Sequence, residues 1–189
     1  MSPYVPGSLV RLETDRFIIR SMTTDDVGER YLAWLHDSEV TRFLQVGIDP
    51  PDLAQLRDYV AGHDNRDSYL LGIFTRSGQH IGNQRARIMP HHRVANLSVM
   101  IGEKEYWGRQ VVLECRARVL DFLLRDLDLH KVQGGCTSDN RAAIFNYKRQ
   151  GWREDGIHRE QYVSAGNRVD LIYFAMFRRD WTARSEGAR

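Results

Sequence analysis

The period of the apolar positions changes several times along the chain, and each change marks an element. Phe17, Ile18 and Ile19 form a short β-rich run between charges and predict a first strand. Thr23, with Asp26 three residues on, suits a helix start, and Asp25 and Asp26 suit the positive end of its dipole. Tyr31, Leu32, Trp34 and Leu35 then give an apolar face at helical spacing. A second short helix is predicted from Asp37 or Ser38, carrying Val40, Phe43 and Leu44. Pro50 and Pro51 break the chain, and Leu53, Leu56, Tyr59 and Val60 mark a third helix.

The period then shortens. Tyr69 to Thr75, His80 to Met89 and Ala95 to Ile101 read as three strands joined by short turns, an antiparallel meander. From Val111 to Leu127 a wide apolar face at helical spacing returns, and Lys131 to Thr137 is again a strand. Strand, long helix and strand make a crossover, so 95–101 and 131–137 are expected to lie parallel. Asp139 or Asn140 caps a further helix that ends before Gly151. Ile157 to Val163 and Val169 to Phe177 read as a closing hairpin about Ala165-Gly166-Asn167, the second strand buried on both faces. The fold class is α/β with a mixed sheet. With no linker of Pro, Gly or Ser, residues 1–189 read as one domain with a polar, frayed tail over 182–189.

Composition narrows the function. Apolar residues make up 42% and charged residues 28% of the 189 residues, which suits a folded core rather than a disordered chain. A formal net charge of +2 with no basic run excludes a nucleic-acid arm. No apolar run reaches the roughly 20 residues of a membrane span, and Met1 to Val10 has no leader pattern, so a cytoplasmic location follows by default. Cys115 and Cys136 lie in apolar segments without metal-ligand spacing and read as reduced, buried thiols; no metal is expected.

Two segments could carry chemistry. The first is Gly102-Glu103-Lys104-Glu105-Tyr106-Trp107-Gly108-Arg109-Gln110-Val111-Val112, between a strand and the N-terminus of the long helix. Gly108 would let backbone approach a ligand and Arg109 suits phosphate, although the same residues also fit an ordinary turn. The second runs from Asn140 to Trp152. Tyr147 lies seven residues after the capping Asn140, two turns along on roughly the same side. Its hydroxyl is either a proton donor to a leaving thiolate, the two pKa values being close, or a core hydroxyl.

Together these segments resemble the GNAT superfamily of N-acetyltransferases. Asn140, Ala143, Tyr147, Gly151 and Trp152 match a family pattern of Asn, a small residue, Tyr and Gly-Phe, with Trp replacing Phe. Ala95 to Gly102 with Tyr106-Trp107-Gly108 resembles the family's central strand and the loop after it. Val169-Asp170-Leu171 through Arg178, Asp180 and Trp181 resembles its closing strand. The run Trp34 to Leu44 is similar to the branch of ribosomal-protein N-terminal and nucleotide-amino-sugar acetyltransferases. The resemblance spans about residues 16 to 181.

It implies a strongly twisted, mainly antiparallel sheet with a central parallel pair, flanked by helices, and acetyl-CoA as cofactor. It also implies that the 95–101 strand splays and pairs with the pantetheine arm through Val99, Met100 and Ile101. Trp107, Gly108, Arg109, Gln110, Val111 and Val112 would take the phosphates, and Asn140, Phe145 and Tyr147 would complete the cofactor contacts. A strand amide would stabilise the oxyanion as the amine attacks, and Tyr147 would protonate the thiolate. Trp34, His36, Arg42, Arg85 and Asn96 become candidate acceptor contacts. Arg87 would add to a basic pocket for a nucleotide sugar.

Two departures stand out. The family loop has glycine where this chain has Gln110, and glycine or alanine at Val112. A β-branched residue resists positive φ, so the turn is either conventional or strained. Three readings follow: the loop binds coenzyme A with fewer contacts, binds it weakly, or has lost it. Many relatives carry a carboxylate where Asn96 stands, and Asn cannot accept a proton at neutral pH. His36, Glu39, His91 and His92 are the candidate bases, and none is singled out. Cys136 lacks a neighbouring base and does not read as a nucleophile. The favoured partner is a small-molecule amine such as an amino sugar; a protein N-terminus is the alternative, as is a binding module without catalysis. Exposed sheet edges would suit a homodimer.

Overall fold

The computed structural model describes residues 4–44 and 49–187, which form two compact units. The first comprises Met1–Arg87 and Val99–Val119, the second Ile88–Ser98 and Leu120–Arg189. Among the described residues an eight-stranded sheet runs in the order β1-β2-β3-β4-β5-β6-β8-β7. The strands are β1 (Arg11–Glu13), β2 (Phe17–Ser21), β3 (Ser68–Thr75), β4 (His80–Met89), β5 (Val94–Ile101), β6 (Lys131–Thr137), β7 (Arg153–Ser164) and β8 (Asn167–Phe177). The two central strands, β4 and β5, contribute residues to both units.

In the first unit β1, β2, β3 and β4 pair antiparallel, with Leu12 opposite Ile19, Ile19 opposite Ile73 and Leu71 opposite Gln84. Three helices belong to this unit: α1 (Glu29–His36), α2 (Ser38–Thr41) and α3 (Leu53–Ala61). The predicted helix at Thr23 begins as a 3₁₀ turn over Thr24–Asp26, with the Thr23 N–H donating to Asp26 Oδ2 at 2.8 Å. α3 is closed by a reciprocal cap between Asp52 and Gln55, at 2.8 and 2.9 Å. Tyr31, Trp34 and Leu35 of α1 and Leu56 and Val60 of α3 form one core with Leu70 and Phe74 of β3. Tyr59 stays exposed, so the buried stripe of α3 is narrower than its apolar pattern. Gly102 closes this core from the end of β5: a Cβ there would fall 1.9 Å from the Trp34 ring.

In the second unit β5 and β6 pair parallel, β6 and β8 antiparallel, and β7 forms the outer edge on β8. The helix α4 (Val111–Asp121), whose residues up to Val119 belong to the first unit, ends sooner than the pattern predicts and opens into a π turn over Phe122–Asp126. The Leu127 N–H accordingly reaches back to Phe122 O at 2.9 Å. Phe122, Leu123 and Leu124 are all buried in succession. α5 (Arg141–Arg149) is capped by Asn140 and followed by Gly151 at φ +77°.

Three expectations change here. β7 starts at Arg153 rather than Ile157, because its register with β8, Arg153 opposite Ala175, defines it, not its polar sequence. β8 is fully buried only over Phe174–Met176; Val169 to Tyr173 are half-buried, since the edge strand beside them is almost wholly exposed. Residues 182–187, expected as a tail, continue α6 (Arg178–Gly187), where Thr182 Oγ1 donates to Arg178 O and Trp181 Nε1 to Asp121 Oδ1. Residues 188–189 lie outside the described residues. No helix among the described residues is long and apolar enough to cross a membrane.

Replacing Gly102 by alanine drives a Cβ into a buried indole that has no empty space to enter. The unfolding free energy is expected to fall by about 2 to 3 kcal/mol, read from a lowered urea midpoint at unchanged m-value.

Candidate active site

In the first unit the segment after β5 is built around backbone turns. A 3₁₀ turn over Lys104–Tyr106 follows Gly102, and Trp107 Nε1 donates to Ile101 O at 2.9 Å. Gly108 has φ +73° and Gln110 φ +62°, so two left-handed residues flank Arg109 immediately before α4. For glycine this costs nothing; for Gln110 it costs about 1 kcal/mol or more. Of the two open alternatives the turn is therefore the strained one, and the strain sits on Gln110. Val112 lies inside α4 with negative φ and is half-buried, while Val111 is 2% exposed. Successive N–H groups in such a turn, continued by a helix N-terminus, make an anion-binding concavity.

A pocket of about 430 Å³ opens beside this turn, lined by Arg16, Arg109, Gln110, Leu113 and Glu114. The Arg16 guanidinium donates to Glu114 Oε2 at 2.7 Å and to Arg109 O at 3.0 Å. Burial alone would raise the Glu114 carboxyl, but hydrogen bonds from Thr14 and Arg16 outweigh it and hold it below the usual carboxylate range. Val99, Met100 and Ile101 at the end of β5 are half-buried, with Met100 packed against the α1–α3 core. Trp107 and Arg109 are exposed.

In the second unit the parallel register of β5 with β6 covers Val94–Lys131, Ala95–Val132 and Asn96–Gln133. The next residue on β6 is Gly134. A Cβ at Gly134 would lie 2.4 Å from Tyr147 Oη and 2.8 Å from Leu97 O. The Tyr147 hydroxyl therefore rests against bare backbone where the paired stretch ends. Its ring is stacked on Phe174 at 4.6 Å and meets Trp152 edge-on at 5.0 Å, leaving it 5% exposed. Asn140 Oδ1 accepts from Ala143 N at 3.0 Å, so the cap that starts α5 also orients this asparagine. Asn96 is half-buried, and Phe145 is 59% exposed.

The acceptor candidates fare unevenly. Trp34 lies in the core at 5% exposure, pinned by Gly102 and donating from Nε1 to Glu103 Oε1 at 3.2 Å. His36 is exposed beside Pro51 O, Arg42 stacks on Phe43, and Arg85 is half-buried on β4. Of the candidate bases, Glu39 is ion-paired with Lys104, while His91 and His92 lie exposed in the turn before β5. Cys115 and Cys136 are buried, reduced cysteines, and burial pushes the Cys115 thiol up.

Three features were not anticipated. Arg16 and Glu114 have no local signal, being 98 positions apart. Gly134-Gly135 inside a strand is a signal, since strand glycines often mark close approach by another group. His80 packs against Phe74 and Trp34 with Nε2 near Gly82 O and Asn83 Oδ1, and burial lowers its pKa.

The family model described as "Acetyltransferase (GNAT) domain" matches residues 16–153. The uncharacterized N-acetyltransferase p20 of Bacillus licheniformis is 22% identical over 180 residues, covering 90% of this chain and 97% of that protein. The crystal structure of spermidine N-acetyltransferase from Vibrio cholerae, in complex with CoA and spermine, has a TM-score of 0.81 at 17% identity, covering 89% of this chain and 99% of that one. A ribosomal-protein alanine acetyltransferase from Vibrio fischeri has a TM-score of 0.77 at 13% identity, covering 91% and 98%. At these identities the structures establish a common fold.

The strain at Gln110 is measurable. Gln110→Val, which adds β-branching to a left-handed residue, is expected to lower the unfolding free energy by about 1 to 2 kcal/mol in urea titrations, and Gln110→Gly to cause no loss.

Proposed function

The chain belongs to the GNAT acetyltransferase family and is an acetyl-CoA-dependent N-acetyltransferase, and on that premise we propose that it acts, as a single catalytic domain, on a small-molecule primary amine. The observation that carries the catalytic part is the Tyr147 hydroxyl, held over Gly134 at the end of the β5–β6 pairing. Bound acetyl-CoA supplies the activated acetyl thioester.

The residues present suit that cofactor. In the first unit, the left-handed turn at Gly108 and Gln110, with Arg109 and the first residues of α4, Val111 and Val112, offers backbone N–H groups and a cation to the pyrophosphate. The backbone of Val99, Met100 and Ile101 would align the pantetheine arm, with Trp107 beside it. In the second unit, Asn140 would contact the cofactor through Nδ2, because its Oδ1 is engaged in the cap. Exposed Phe145 would offer an apolar face. Tyr147 would hold at Oη the proton that the departing thiolate requires, its ring fixed by Phe174 and Trp152.

For the acceptor, Trp34 is buried and would support the site from beneath rather than line it, while the likeness of the run Trp34 to Leu44 still favours an amino sugar. His36, Arg42, Arg85 and Asn96 remain the proposed acceptor contacts. The solved structures of similar fold include an enzyme named for spermidine and one named for a ribosomal-protein alanine. The first adds a polyamine to the amino sugar within the class of small primary amines, and the second keeps a protein N-terminus as the alternative.

Isothermal titration with acetyl-CoA is expected to show saturable binding, with a matching rise in thermal midpoint. Absence of both at millimolar cofactor would sink the reading. Thiol release across a panel of amino sugars, polyamines and N-terminal peptides then identifies the acceptor, and turnover confined to peptides would overturn the small-molecule assignment. Tyr147→Phe is expected to lower kcat by about 10²-fold while the acetyl-CoA dissociation constant stays within about twofold.

A further inference from the structure

We propose that Arg16 is a positioning residue: with Glu114 it clamps the turn at Gln110 in its left-handed form, supplying by a tertiary contact the conformation that a glycine would adopt unaided. The proposal rests on the reading of that turn as the cofactor's phosphate site. Gln110 has φ +62°, a region that L-residues other than Asn and Asp seldom enter. Such a residue persists only where its surroundings over-determine it. Here the residues on both sides of Gln110 are tied to one anchor. Arg16 Nη2 donates to the carbonyl of Arg109, the preceding residue, at 3.0 Å. Arg16 Nε donates to Glu114 Oε2 at 2.7 Å, and the Arg16 backbone N–H donates to Glu114 Oε1 at 3.2 Å. Glu114 in turn donates its N–H to Gln110 O at 3.1 Å. The contacts form a closed circuit around the turn.

Arg16 suits this task. Its guanidinium can reach a carbonyl and a carboxylate at once, which an ammonium on a flexible stem does less well. It directly precedes Phe17, which opens β2 in register with Thr75, so the anchor stands on the sheet. An exposed ion pair alone would contribute little, the Arg16 and Glu114 side chains being 48% and 24% exposed. Any stability that Arg16 contributes is therefore expected to come through the geometry of the turn rather than through the charge pair itself.

The test is a double-mutant cycle between Arg16→Gln and Gln110→Gly, read by acetyl-CoA titration and by urea midpoint. In the parent background Arg16→Gln is expected to weaken acetyl-CoA binding about tenfold and to lower the midpoint. In the Gln110→Gly background the same change is expected to weaken binding less than threefold and to move the midpoint less, because glycine holds the turn without the clamp. Equal losses in both backgrounds would overturn the clamp and make Arg16 a direct charge on the ligand or a plain surface contact. An unchanged affinity in Arg16→Gln would overturn it as well. If the parent protein binds no acetyl-CoA, the cofactor reading fails, and the midpoint cycle alone decides the clamp: coupling supports it and additivity overturns it.

Discussion

Parallel pairing between β5 and β6 stops at Asn96 opposite Gln133, and the surroundings of Tyr147 in the second unit are organised around that stop. A strand whose neighbour no longer takes its backbone groups has donors and acceptors to offer elsewhere. Beside it Gly134 presents no side chain, and the Tyr147 hydroxyl uses the vacated volume. The ring is fixed by stacking on Phe174 and an edge contact with Trp152, so its hydroxyl has little freedom to wander. The same helix that carries Tyr147 is started by Asn140, whose cap sets its first turn. Cap, glycine and aromatic stack together fix one phenolic oxygen.

The first unit meets a different constraint. Its loop turns into the start of α4 through left-handed backbone at two positions, and only one of them is glycine. Gln110 bears the cost of the other. Arg16 and Glu114 close the circuit around it, and the core beneath is held by Gly102 against Trp34. The tryptophan that looks from its position like a substrate contact is thus a packing residue, and its indole N–H is already used by Glu103.

Much of the architecture was legible because the rules that write it act over a turn or two of chain. The bounds of β6, the parallel crossover, the Asn140 cap, the Gly151 terminator and the spacing that puts Tyr147 two turns from the cap all follow from residues close together in sequence. The starts of α2 and α3 were equally readable, from Asp37 and from the broken chain at Pro50-Pro51. Elements defined by a partner were not. β7 begins among Arg153, Glu154 and Asp155, residues that look like loop until β8 pairs with the first two and Lys131 forms an ion pair with Asp155 at 2.5 Å.

The sequence by itself determined the family-like order of elements, the helix start after Gly108, and the placing of a tyrosine on a capped helix. Periodicity and capping are local and leave a pattern in the residues that perform them. Only the tertiary structure decided that Gln110 is left-handed, that Arg16 and Glu114 hold it, that Trp34 is buried and that Gly134 makes room for a hydroxyl. Those outcomes depend on groups up to 98 positions apart, and a contact made across such a separation has no spacing to betray it.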